Sequence, residues 1–576
     1  MIVKLIPIFL SFASYIISIY LYIKEPYSSV YSFIFWVISI LLLLLYLAYK
    51  GRAKINQVFY QKNISLAKFL DGNSLLIIIV ILGIIVRFWS ITSIPILTGD
   101  ETRDAGILPQ KIISGEIKDY FGFYAAINHG FFVLSSIPNL IVTDPILKVR
   151  LFSVIFGVLS IILIYILTKS IFHNKRLALI SAIFLSTYHV HIHFSRSEFL
   201  NLFDSFYTLV IFISFNLLVK YWRISYVILL AVILGFGLHF YSGLRAIILL
   251  SSLTFLIFII FKCNIKNALV YLAVFSIFFM IALGPLSIVM ATRTEEAKAL
   301  GVSTSVFSEN QSLNDNLSKL TINYKDSLLA YVKNPIDFHY NYGGPFIVYP
   351  FSIFFLIGIF LIVKRVTSPI NFLILSSMLL IPFFNSAILT HINNTHRLLS
   401  LVPLIALVTS LGVEKIALII EKVINKKAAI FLITLFCSYF TIYNVHLYFY
   451  KSVWEKTLNI NDFRAWEAQK LINQLGNKKT SILFVGNDYM PSYKSIPSLE
   501  YLTQKFSMVD IMNNKHLYDF INSKDYTDYI FIILPNNNAL IDDRAVTDYF
   551  APTVTFSHKT YYKDIYLFDF VRTKIQ

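Results

Sequence analysis

The feature that most constrains this chain is a succession of apolar runs, each long enough to cross a bilayer. A helix rising 1.5 Å per residue needs about 20 apolar residues to span the hydrocarbon. Such runs lie near residues 4–23, 30–49, 73–93, 147–168, 177–194, 200–219, 225–241, 246–261, 268–290, 346–363, 370–389, 398–413 and 428–446, about thirteen in all. They predict a polytopic α-helical membrane protein, and composition agrees, with 57% hydrophobic and 14% charged residues. The first run meets "KEPYSS" without a convincing cleavage site and is expected to remain as an uncleaved anchor.

Charge sets the expected orientation. Lys50, Arg52, Lys54, Lys62 and Lys68, then "HNKR" 173–176, "KYWR" 220–223, "KCNIK" 262–266, "KR" 364–365 and "EKVINKK" 421–427, recur on alternate turns, which are therefore read as cytoplasmic. An odd helix count then places residues 447–576, and the long loops 94–146 and 291–345, outside the cytoplasm. The net charge of +17 is topogenic rather than a sign of nucleic acid. From Lys451 onward, 15 Lys and Arg face 14 Asp and Glu, so +16 belongs to the membrane part. Two cysteines, Cys263 and Cys437, are too few for a disulfide framework.

Three units are expected: two N-terminal helices with a basic loop (1–72), a catalytic membrane domain (73–446) and a small α/β domain (447–576). In the last, "DFRAWEAQKLINQLG" 462–476 has helical spacing, with Asp462 as its N-cap and a glycine stop. "SILFVG" 481–486, "DYIFIILP" 528–535 and "DIYLFDFV" 564–571 read as buried strands. This domain has neither a Gly-rich phosphate loop nor a nucleophile elbow.

On this topology the chemistry-bearing clusters share the outer surface: "GDETRD" 99–104, "HFSRSEF" 193–199, "YSGLR" 241–245 and "THINNTHR" 390–397. A transporter is expected to place ionisable groups near the bilayer midplane, and none of these is there. Asp100 and Glu101 are adjacent, so on a helix they point about 100° apart and one of them faces a given substrate. Either suits a general base or metal ligand at the mouth of an apolar cavity; either could instead pair with Arg103 or be solvated by headgroups. Glu198 supplies another acid, with a salt bridge to Arg196 or a helix-dipole contact as its structural alternatives. His189 and His193, four residues apart, could join a carboxylate such as Glu101 around a divalent metal, or be interfacial histidines. Arg245 and Arg397, the latter beside His396, open apolar runs. They could anchor helices, or their planar donors could hold a lipid phosphate.

Outside the cytoplasmic membrane, nucleotide-sugars and ATP are not normally available, so a transferase there needs a lipid-linked donor. A carboxylate would deprotonate the acceptor hydroxyl while arginines stabilise the departing phosphate.

The acid pair after the third run, followed in order by "FSRSEFLNLFDSF", "GLHFYSGLRAIILL", "TRTEEAKALGVSTSVFS" and "THRLLSLVPLIAL", resembles the GT-C glycosyltransferases related to protein O-mannosyltransferases and the lipid A aminoarabinose transferase. The resemblance covers roughly residues 73–445. It implies that Asp100 is the catalytic base and Glu101 the second member of the pair. Glu198 stands for the later acid, although many relatives carry an aspartate slightly further on, and Arg245, Arg397 and His396 hold the donor phosphate. It also implies polyprenyl-phosphate sugars as donors, and short helices at 105–114 and 129–142 lying along the membrane. The loop 291–345 folds over the cavity on this reading, with Gly343, Gly344 and Pro345 ending it. Metal dependence stays open. The expectation is a multi-pass membrane glycosyltransferase that moves a sugar, with inversion, to an extracytoplasmic glycolipid, glycan or protein. The alternatives are a glycan ligase or polymerase using a lipid-diphosphate donor, and a flippase or transporter for lipid-linked glycans.

Overall fold

The computed structural model describes residues 6–60, 66–124, 127–197, 201–293, 305–308, 312–332, 346–389, 395–451, 459–475, 480–486, 489–511, 528–534, 554–562 and 565–574. Its helices are α1 (Ile6–Lys24), α2 (Val30–Tyr60), α3 (Leu66–Phe88), α4 (Gly99–Thr102), α5 (Leu108–Ile113), α6 (His129–Ser135), α7 (Ile137–Ile141), α8 (Pro145–Phe172), α9 (Lys175–Thr187), α10 (His189–Phe194), α11 (Leu202–Tyr221), α12 (Ile224–Gly237), α13 (Leu244–Lys262), α14 (Ile265–Leu283) and α15 (Leu286–Thr292). They continue with α16 (Leu313–Leu329), α17 (Ser352–Val363), α18 (Pro369–Pro382), α19 (Val402–Val423), α20 (Lys426–Phe449), α21 (Ile460–Leu475) and α22 (Pro497–Leu502).

Among the described residues, nine helices are long and apolar enough to cross a membrane by length and composition. The expected spans at 73–93, 225–241 and 346–363 fall on shorter apolar helices, Ser74–Phe88, Ile224–Gly237 and Tyr349–Val363. Two expected spans are broken. The run 177–194 ends α9 at Tyr188, whose backbone is extended, and restarts as the buried α10. The run 268–290 stops at Gly284, φ 59°, followed by Pro285. A side chain at Gly284 would meet the Trp36 ring, and that indole N–H donates to the Ile281 and Ala282 carbonyls at 3.2 Å each. Trp36 thus satisfies two of the carbonyls left open at the end of α14 and fastens α2 to the bundle.

Helix pairs in such a bundle gain little from burying apolar surface against one another, so close approach and hydroxyl contacts matter more. Ser11 and Ser39 meet at 3.0 Å between α1 and α2, and Ser18 and Ser32 each donate to the other's carbonyl at 2.8 Å. Gly358 on α17 lies against the Val408 carbonyl, and Gly412 on α19 against the Phe354 carbonyl, so the two backbones touch where any side chain would collide. At one end of the bundle, Arg176 binds Glu414 through two nitrogens at 2.8 Å and Glu421 at 3.0 Å, tying α9 to α19.

The opposite end gathers the loops. The α1–α2 turn joins the loop after α3, where Ser29 N–H donates to the Lys118 carbonyl and Asp119 pairs with Arg293 at 2.6 Å. That loop also carries a small hairpin, β1 (Phe123–Tyr124) with β2 (Ile127–Asn128). Phe131 of α6 packs on Phe203 and Phe240, linking this loop to α11 and to the segment after α12. The expected short helices at 105–114 and 129–142 are present as α5 with the turn before it, α6 and α7.

The C-terminal unit has a mixed five-stranded sheet of β3 (Thr480–Val485), β4 (Ser507–Asp510), β5 (Asp528–Ile533), β6 (Val554–Tyr562) and β7 (Ile565–Lys574), in the order β4-β3-β5-β7-β6. β4, β3 and β5 run parallel, while β7 is antiparallel to β5 and to β6. The three expected strands are β3, β5 and β7. The Asp462 cap is a correction: α21 begins at Ile460, and the Asn459 side chain accepts from the Asn461 N–H at 3.0 Å. The Asp462 carboxylate is used on another part of the chain.

Candidate active site

The first acid cluster is built by a capping box. The Thr98 hydroxyl accepts from the Glu101 N–H at 3.3 Å, and the Glu101 carboxylate accepts from the Thr98 N–H at 3.1 Å. Glu101 also receives Arg150 of α8 at 2.8 Å and 3.3 Å, both side chains being wholly buried, and Arg150 reaches back to the Ile91 carbonyl at 2.5 Å. Glu101 therefore holds the turn in place.

Asp100, one residue earlier, points elsewhere. Its side chain is 23% exposed and meets Arg103 at 2.7 Å. Arg103 also donates to both oxygens of Asp104, at 2.7 and 2.9 Å, and lies over the Tyr124 ring. Burial pushes the Asp104 carboxyl up to about 6, although the Arg103 contacts pull it back. Burial works against the Arg103 charge, but the Asp104 hydrogen bond and the two carboxylates hold its pKa above the ordinary value. The chain passes here from α4 into a π-helical turn, Arg103–Ile107, a geometry that concentrates at functional sites.

The second cluster divides differently from the expectation. Glu198 lies outside the described residues. Its neighbour Arg196 is buried and gives four hydrogen bonds to carbonyls of Val86, Arg87, Trp89 and Ile94, closing the end of α3 and the turn after it. His189 and His193 are buried on α10. Among the described residues no group of three or more His, Cys, Asp or Glu could hold a metal ion, and both Glu101 oxygens are engaged by Arg150.

The third cluster brings the two late arginine turns together. Asn385, in a π-helical turn after α18, donates to the Gly243 carbonyl at 2.9 Å and to the Arg397 carbonyl at 3.0 Å. Arg245, His396 and Arg397 are each half-buried near this junction. Tyr241, hydrogen-bonded to Asn201, lies within electrostatic reach of Arg397 and Asp204.

Asp204 is the residue that sequence reasoning missed. It is fully buried in the first turn of α11 against Gly243, and neither carboxyl oxygen has a hydrogen-bond partner among the described residues. Burying a carboxyl without a partner is costly, which makes such a group a candidate for function. Its signal was an acid just inside an apolar run, in "FLNLFD", overshadowed by Glu198.

Residues 130–287 match the family model described as dolichyl-phosphate-mannose-protein mannosyltransferase. No curated protein matches the chain in sequence. Among solved structures, ArnT from Cupriavidus metallidurans bound to undecaprenyl phosphate is similar with a TM-score of 0.52 at 11% identity, over 87% of this chain and 98% of that one. Its apo form gives 0.50 at 11% identity and the same coverage. The oligosaccharyltransferase AglB from Archaeoglobus fulgidus, in complex with an inhibitory peptide and a dolichol-phosphate, gives 0.47 at 12% identity, over 81% and 70%. The chain thus shares the fold of ArnT.

Proposed function

We propose that this protein is a membrane glycosyltransferase that moves one sugar from a polyprenyl-phosphate carrier to an acceptor hydroxyl outside the cytoplasm. What supports the reading is a partly exposed carboxylate, Asp100, on the loop after α3, and the joining by Asn385 of the two turns beside the half-buried Arg245 and Arg397, in a fold shared with ArnT. ArnT, which shares the fold, is a protein solved with undecaprenyl phosphate bound.

In the proposed reaction, Asp100 accepts the acceptor's hydroxyl proton as the oxygen bonds to the anomeric carbon. The bond from that carbon to the phosphate oxygen breaks, and the phosphate leaves with the electron pair. Attack opposite to departure inverts the centre, with no enzyme-bound sugar. Arg245 and Arg397, with His396 beside them, balance the charge growing on the phosphate. Arg103 pairs with Asp100 and orients it until the acceptor arrives; Glu101 and Arg150 fix the turn beneath it.

The test is incubation of purified protein with a panel of polyprenyl-phosphate sugars and mass spectrometry of lipid phosphate and product. Wild type should turn over one donor, and Asp100→Asn should lower kcat by about 10²-fold or more, the range of a positioned base. Full activity in Asp100→Asn would move the reading to a ligase using a lipid diphosphate. Turnover of no donor would remove it.

A further inference from the structure

The turn that carries Asp100 is held from two sides, and the second side belongs to the C-terminal sheet unit. Gly99 is the first residue of α4, and helix starts leave their first N–H groups without partners inside the helix. The Gly99 N–H donates to Asp462 Oδ1 at 2.7 Å, across 363 residues of sequence. The Ser498 hydroxyl of α22 donates to the same oxygen at 3.2 Å, and Asp462 is only 4% exposed. Around this point α22 is set into the loop. Tyr501 lies flat against Gly106, where a side chain would strike its ring, and its hydroxyl donates to the Pro145 carbonyl at 2.9 Å. Leu97, Ala105, Ile146, Val149, Tyr501 and Leu502 form one buried cluster shared by both parts.

We infer that Asp462 is a positioning residue through which the C-terminal sheet unit holds the Asp100 turn, making that unit a working half of the site. The contact is to a backbone N–H one residue from Asp100, so a shift of Asp462 moves the carboxylate without touching substrate. Glu101 and Arg150 anchor the turn from the membrane helices, and Asp462 anchors it from the sheet unit. With both anchors, the direction of the Asp100 side chain is fixed.

The inference rests on the reading of Asp100 as base only for its effect on rate, so its test has an arm independent of activity. Amide exchange over residues 97–107 is measured in the full-length wild type, Asp462→Ala and Asp462→Asn, beside kcat and KM for the donor. Asp462→Ala should speed Gly99 exchange several-fold, up to about tenfold, the net worth of a hydrogen bond to a neutral acceptor. It should lower kcat at least about tenfold with KM unchanged, because misplacing a reacting group by about 1 Å can cost 10²-fold. Asp462→Asn, which keeps the acceptor oxygen, should restore both. If the alanine variant does not fold, Asp462→Glu replaces it, displacing the acceptor by one methylene, with the same pattern expected. Unchanged exchange in the variant overturns the inference, and so does faster exchange with wild-type kcat. A wild type that transfers no donor, with exchange responding as described, sinks the transferase reading and leaves the anchoring established.

Discussion

At the scale of single residues, the site turns on how two adjacent acids are treated. Glu101 and Arg150 form a buried, doubly hydrogen-bonded pair, and removing one partner of such a pair leaves the other charge uncompensated. Arg150→Ala should therefore cost about 3–5 kcal/mol and lower the thermal midpoint of the purified protein. Asp462 adds a pH dependence of defined sign. Burial pushes its carboxyl from 3.8 up to about 8; the Gly99 and Ser498 bonds oppose that rise, while the Asp100 and Glu101 charges facing it from α4 add to it. The docked form then holds a proton that the released form gives up, so docking is strongest below pH 3.8 and weakens as pH rises through about 8. Proteolytic release of the sheet unit should accordingly quicken between about pH 6 and pH 8, and Asp462→Asn should flatten the trend. The acid pair was legible in "GDETRD" because charge after an apolar run stands out. Arg150 was not, since it sits inside the run 147–168 and its partner lies 49 residues away. Asp204 was hidden in the same way, by its place within an apolar helix.

At the scale of elements, apolar runs indicated the helices well and their ends poorly. The run 268–290 breaks at Gly284–Pro285, a turn pair written in the sequence, whereas the capping of α14 by Trp36, some 245 residues earlier, has no local signal. The short helices of the first long loop were expected from the family resemblance rather than from the local pattern. Asp462 fits a cap in sequence, yet Asn459 does the capping and frees Asp462 for Gly99. The α17–α19 crossing gives an element-scale test. Any side chain at Gly412 enters the Phe354 backbone, so Gly412→Val should cost about 1–3 kcal/mol, read as a lower thermal midpoint.

At the scale of the molecule, sequence order is a poor guide to proximity. The Gly243 and Arg397 turns, far apart in the chain, are joined by one asparagine. If they hold a phosphate together, Arg245→Lys and Arg397→Lys should each weaken transfer by about ten- to a hundredfold, because an ammonium cannot reproduce the planar donor fork, and combining them should give less than the product of the two losses. Loop-charge alternation leads to the expectation that these turns share the outer side with Asp100; it could not say which residues would bridge them.

The latch on the α1–α2 turn bears on how the protein is made. A chain emerges from its N-terminal side first, so α1 and α2 enter the bilayer while Arg293, which closes on Asp119, the Tyr22 hydroxyl and the Tyr27 ring, has yet to be synthesised. Until then the hairpin is held by its own serine pairs, and the loop bearing Asp100 has lost one of its clamps. This clamp on the loop after α3 therefore forms late in biogenesis, after the helices through α14 are in place, and a ribosome stalled before residue 293 should display the Ser29–Asp119 region open to a membrane-impermeant label.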